Sequence, residues 1–136
     1  MPTQSPGRGT IAAMKLRVRG NSLRLRLTQR EVKQLVSHGE VVERIEFGIG
    51  NSLDYRLGMS ETATACHAVL GASGIAVFVP ASVASDWAKS DAITIEAAQP
   101  LADNRFLQLK IEKDFACLVD RPGEDDGDAY PHPEGC

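Results

Sequence analysis

Arginine alternates with aliphatic residues along Lys15-Leu-Arg-Val-Arg-Gly-Asn-Ser-Leu-Arg-Leu-Arg-Leu27. Period two on both sides of Gly20-Asn21-Ser22 is the signature of a β-hairpin. It puts Arg17, Arg19, Arg24 and Arg26 on the face opposite the leucines. A type II′ turn through Gly20-Asn21 sets Arg17 against Arg24, and a turn through Asn21-Ser22 sets Arg19 against Arg24. Both registers predict burial of Leu16, Val18, Leu25 and Leu27, since a slip of one residue would exchange the faces. Like charges directly opposed in a sheet cost up to about 1 kcal/mol per pair, so this face calls for an anion. Phosphate, nucleic acid or an acidic protein partner would supply it from outside. The run Glu124-Asp125-Asp126-Gly127-Asp128, or acidic residues on neighbouring strands, would supply it from within. The internal source is favoured, because a chain of net charge -3 already holds the carboxylates. Nucleic acid is disfavoured: no aromatic residues interleave with the arginines for base stacking, and the acidic run would compete for the face.

Three other groups of residues have chemical potential. Strict alternation along Leu107, Leu109, Ile111, Phe115 and Cys117 puts Lys113 on an apolar strand face, where a desolvated amine is a candidate base or nucleophile. A β-bulge over Glu112 to Asp114 would turn it outward and is the preferred reading. Cys117, His132 and Cys136, with a nearby aspartate, have ligand chemistry suited to zinc. Their spacing fits no finger or ribbon, and Cys136 ends the sequence, so no metal or other cofactor is expected. Cys66-His67 is no better, because adjacent strand residues face opposite ways. The three histidines are scattered, and no G-x-S-x-G, P-loop or G-x-G-x-x-G occurs.

The elements that must hold these residues follow from composition and punctuation. The chain has 136 residues, 43% hydrophobic and 24% charged, which suits one core and not two. Charge is unevenly spread: six of the fifteen basic residues lie between Lys15 and Arg30, and eight of the eighteen acidic ones lie at or beyond Glu112. Three cysteines without C-x-x-C spacing argue for reduced thiols in a cytoplasm. The longest apolar run, Ile75 to Ala81, is far too short to span a bilayer. Residues 1–13 are expected to be a disordered leader, 14–120 a single α+β domain, and 121–136 an acidic irregular tail docked on that domain.

Within the domain, Thr28-Gln-Arg-Glu31 predicts a capping box opening a helix over Gln29 to His38. Its apolar stripe is Val32, Leu35 and Val36, and Gly39 is its stop. Val41 to Phe47 and Leu53 to Leu57 predict a second hairpin. Thr62 to Leu70 and Ile75 to Val79 form a third, around Gly71-Ala72-Ser73-Gly74. Pro80 opens a second helix, Ala81 to Lys89, with Val83, Ala84, Trp87 and Ala88 inward. Ile93 to Ala97 and Phe106 to Leu118 complete the set. The order β-β-α-β-β thus occurs twice, and a shift of 52 residues sets Leu23, Leu25, Leu27, Leu35 and Val41 on Ile75, Val77, Val79, Trp87 and Ile93. The expected fold is α+β, a mostly antiparallel sheet or open barrel of two such halves with two short helices.

Two stretches together carry a resemblance. Met14-Lys-Leu-Arg-Val-Arg-Gly-Asn-Ser-Leu-Arg-Leu-Arg-Leu-Thr28 resembles the opening of a family of short bacterial proteins known as a domain of unknown function. Glu112-Lys-Asp-Phe-Ala-Cys-Leu118, with the following acidic residues and Tyr130-Pro-His-Pro133, resembles its close. The resemblance implies a bacterial, cytoplasmic protein whose acidic tail belongs to the folded unit, and it brings no activity. The expectation is a small non-catalytic binding or interaction module, with a protein partner or its own acidic tail on the basic hairpin face. The alternative is an enzyme or metal-binding protein using Lys113, Cys117 and the tail.

Overall fold

The structure, a computed structural model, describes residues 13–115. The expectations for the leader, for Cys117, His132 and Cys136, and for the acidic tail therefore lie outside the described residues. Among the described residues there are eight strands and two helices. They are β1 (Lys15–Val18), β2 (Ser22–Leu27), α1 (Gln29–His38), β3 (Glu40–Gly48), β4 (Asn51–Ser60), β5 (His67–Leu70), β6 (Gly74–Pro80), α2 (Ala81–Lys89), β7 (Thr94–Pro100) and β8 (Phe106–Lys113).

Each hairpin is antiparallel, as alternation around a tight turn dictates, but the hairpins join in parallel. One sheet has the order β1-β2-β8-β7 and the other β3-β4-β6-β5. The central pairs β2–β8 and β4–β6 are both parallel. The α+β class and the mostly antiparallel pairing hold, with four of the six strand pairs among the described residues antiparallel; what alternation does not reveal is that the strands form two mixed four-stranded sheets with parallel centres. The reason is physical. Period two fixes which face a strand buries, not which strand lies beside it. The helix after the first hairpin of each half carries the chain from one sheet into the other, so each sheet combines the first hairpin of one half with the second of the other.

Three backbone bonds recur between the two halves. The turn bond Arg19 N–H to Ser22 C=O (3.2 Å) recurs as Gly71 N–H to Gly74 C=O (2.8 Å). The bond that starts the parallel pairing, Gln108 N–H to Asn21 C=O, recurs as Asp54 N–H to Ser73 C=O. Met59 N–H to Gly39 C=O matches Lys113 N–H to Ile93 C=O. The last pair places the equivalence of Val41 at Ile95, not Ile93: Val41 pairs with Leu57 as Ile95 pairs with Ile111. The α2–β7 connection is two residues longer than its counterpart, which alternation in sequence does not reveal.

The core lies between the sheets and the helices. Leu25, Leu27, Leu57, Val77, Val79, Leu109 and Ile111 come from the four central strands, with Leu35 and Trp87 from the helices. Full burial of a side chain such as leucine contributes about 1.5–3 kcal/mol. Three expected core residues stand outside it. Val18, in a four-residue edge strand beside the turn, is 62% exposed. Val36 and Val83 lie on the outer flanks of their helices and are also exposed. Residues 62–66, expected to be strand, are irregular, and β5 begins only at His67.

The helices span the predicted residues. In α1 the Glu31 amide donates to Thr28 Oγ1 (3.4 Å) and the Thr28 amide donates to Glu31 Oε1 (2.9 Å), so the capping box is closed. Gly39, at φ 89, terminates the helix by donating its N–H to the Leu35 carbonyl. Thr28→Ala is expected to cost about 1 kcal/mol, read as a lower denaturation midpoint at unchanged slope. The second helix has no side-chain cap, and Pro80 precedes its first turn as the last residue of β6.

Candidate functional site

The face of the first sheet opposite Leu25 and Ile111 gathers the basic hairpin with residues from β8 and β7. The turn uses Gly20, at φ 54, so the register is Arg17 opposite Arg24 and Lys15 opposite Arg26. Across the parallel pairing, Arg24 neighbours Lys110 and Arg26 neighbours Glu112. Beyond them, Lys110 faces Glu96 and Glu112 faces Thr94. Arg17, Arg24 and Lys110 therefore form one continuous row of cations over three strands. The next row holds the carboxylate that offsets them. Glu112 Oε1 accepts from Arg26 Nε at 2.6 Å and lies 3.8 Å from Arg24 Nε. Asp114 Oδ2 is 3.0 Å from Lys15 Nζ. The arginine–arginine opposition is thus real, and part of its relief comes from a neighbouring strand. Alternation along β8 shows that Lys110 and Glu112 share a face. That this face adjoins Arg24 and Arg26 depends on a parallel pairing for which the sequence carries no local mark.

Lys113 is not on a bulge. The register of β8 runs without interruption from Phe106 to Lys113, against β2 from Gln108 and against β7 up to Glu112, so alternation points Lys113 to the core side. It lies at the end of the strand, where its long stem reaches past the core to polar groups. Nζ donates to the Ser90 carbonyl at 2.8 Å and sits 5.6 Å from the centre of the Trp87 ring. Ser90 is the C-cap of α2, so the ammonium meets the negative end of the helix dipole. That is a structural use of lysine. Phe115, expected on the same face, lies beyond the strand and is 56% exposed.

Elsewhere the chemistry is self-contained. On the second sheet Asp54 accepts from Arg44 at 2.8 and 3.3 Å and lies 3.8 Å from Arg56. The Arg44 hydrogen bonds hold the Asp54 carboxyl below its ordinary range, against the opposing effect of desolvation. Cys66 is buried, and burial pushes its thiol up to about 11, so it is a poor nucleophile. Ser37 Oγ lies 2.9 Å from His38 Nδ1, but it also bonds the Lys33 carbonyl on the exposed side of α1. Among the described residues there is no group of His, Cys, Asp and Glu able to hold a metal ion. No described helix is long and apolar enough to cross a membrane.

A family model described as a family of unknown function, DUF7009, matches residues 14–134. The chain belongs to DUF7009. The match begins at Met14, which is fully buried and whose carbonyl accepts from Tyr55 Oη at 2.7 Å. It ends beyond the acidic run, so the match covers both the basic hairpin and the acidic segment of this chain. No curated protein and no solved structure matches the chain.

Proposed function

We propose that this DUF7009 protein is a non-catalytic binding module that takes a carboxylate-rich polypeptide segment on the basic face of its first sheet. The observation that carries this is the row Arg17, Arg24, Lys110 beside a seated carboxylate, Glu112, on Arg26. The planar guanidinium fork matches carboxylate geometry, and the strands hold the cations at fixed spacing. Among the described residues the rows carry Lys15, Arg17, Arg24, Arg26 and Lys110 against Glu96, Glu112 and Asp114, with Arg19 at the turn, so the balance of these residues is positive in a chain of net charge -3. Among the described residues these rows carry no aromatic side chain; Phe106, on the same face of β8, stands beyond the Gln108 row, so no aromatic interleaves with the cations, which favours a peptide over a nucleic acid. The odd number of cysteines and the sequence resemblance support a bacterial cytoplasmic setting for the module, read as one domain over 14–120 with the acidic tail attached.

The test is fluorescence anisotropy with a labelled hexaglutamate peptide at low salt, against an oligolysine and a single-stranded DNA oligomer. Hexaglutamate is expected to bind in a salt-sensitive way, with affinity reduced at least tenfold in the Arg17→Gln, Arg24→Gln double variant. DNA binding as tight as hexaglutamate binding contradicts the proposal. So does an absence of hexaglutamate binding both in the natural sequence and in the tail-neutralised variant described next.

A further inference from the structure

The basic face has an occupant within the same chain: we infer that residues 121–133 dock on it through Glu124, Asp125, Asp126 and Asp128, and so compete with any external acidic segment. This rests on the reading of the face as a carboxylate-binding surface and names what regulates it.

Three observations support the inference. The first is coverage. Arg24 and Arg26 point away from the core, yet their side chains are only 16% and 13% exposed, whereas long cationic side chains on an open sheet face stand in solvent. The second is reach. The chain leaves β8 beside this face: the Asp114 amide donates to the Leu27 carbonyl at 2.8 Å, and its carboxylate meets Lys15. Four strands about 4.8 Å apart make a face roughly 14 Å across. The ten residues from Asp114 to Glu124 span up to about 33 Å when extended, so the acidic run can return over the arginines. The third is charge. The run places four carboxylates within five residues, opposite the cation excess of the face. Tyr130 and the prolines at 131 and 133 add an apolar body and a stiff backbone able to anchor the segment's end. The family match runs through residue 134 and so spans both the face and the run.

A tethered occupant is present at an effective concentration in the millimolar range, so a free acidic peptide competes poorly until the tether's charge is removed. The experiment uses the full chain carrying Glu124→Gln, Asp125→Asn, Asp126→Asn and Asp128→Asn, which keeps the tail's length and shape. The labelled hexaglutamate peptide is expected to bind this variant at least tenfold more tightly than it binds the natural sequence. Introducing Arg17→Gln and Arg24→Gln on top of the tail changes should abolish the gain. Equal hexaglutamate affinity for the natural and tail-neutralised chains overturns the inference and leaves the binding face standing. No binding by either chain overturns the face itself.

Discussion

Gly74→Ala is expected to destabilise the protein by more than about 3 kcal/mol, while Gly71→Ala, at the other end of the same turn, costs less than about 1 kcal/mol. Gly74 opens β6 and pairs with Asp54 in the parallel ladder. Its φ is 152, a conformation that L side chains rarely adopt, and a Cβ there would overlap the Asp54 carbonyl oxygen and approach Asp54 N at 2.8 Å. The neighbour is backbone, held by the Asp54 N–H to Ser73 C=O bond, so it cannot swing away as a side chain would. Relief requires opening the start of the β4–β6 pairing, which lies against the Arg44–Asp54 ion pair. A Cβ on Gly71 meets only the Gly74 carbonyl at 4.0 Å, an ordinary contact. Urea denaturation of the two variants decides the point. Equal midpoints would show that Asp54 and Gly74 separate freely and that this close approach is not structural.

The contrast between these glycines shows which part of the fold was legible. The turn Gly71 to Gly74, the Gly20-Asn21 turn, the capping box at Thr28 and both helix spans are local, set by residues within about five positions of one another. So is the face of each strand. What joins the hairpins is not local. Ser22 and Gly74 occupy equivalent places, starting β2 and β6, yet one tolerates a side chain against Gln108 and the other does not against Asp54. Nothing in the alternation of β2 announces β8 as its parallel neighbour. The candidate site was half legible for the same reason. That Arg24 faces an arginine followed from either turn, the structure selecting Arg17 over Arg19, whereas Lys110 and Glu112 joined them only through the non-local pairing. A lysine in an apolar row suggests a bulge, whereas Lys113 stays in register because its row ends at a helix C-terminus, which the sequence does not show.

The exchange of hairpins between halves also explains why the two sheets act as one unit. Neither half owns a complete sheet: β1 and β2 need β8, and β5 and β6 need β4. At one junction Gln99, on β7, accepts from the Ala68 amide at 2.6 Å and donates to the Ala68 carbonyl at 3.1 Å, binding edge strand β5 of the other sheet as a strand would. At the opposite side Tyr55 bonds the Met14 carbonyl just ahead of β1. The basic face is consequently built from both ends of the described chain, and its geometry depends on the whole fold.

Trp87→Ala should therefore be among the most damaging side-chain truncations, at about 3–5 kcal/mol. Trp87 is 3% exposed and takes the place in α2 that Leu35 takes in α1. Its larger ring does more than fill the core. The indole N–H donates to the Ile93 carbonyl at 3.0 Å, fixing the longer α2–β7 connection, and the ring lies under the Lys113 ammonium that bonds Ser90. Truncation to alanine removes the volume, the bond and the surface that positions Lys113 together. Trp87→Phe separates these effects. The Ile93 carbonyl still accepts from the Lys113 backbone amide, so losing the indole donor leaves no orphaned acceptor, and the cost should fall to about 1–2 kcal/mol. Because Trp87 is the single tryptophan, unfolding must be followed by circular dichroism. If Trp87→Ala unfolds within about 1 kcal/mol of the natural sequence, the two helices do not carry equivalent halves of the core. A phenylalanine variant as damaged as the alanine one would instead assign the role to the N–H bond. The expected order, alanine far worse than phenylalanine, identifies packed volume as what seats α2 against the sheets. It also makes the Lys113 contact a consequence of that seating.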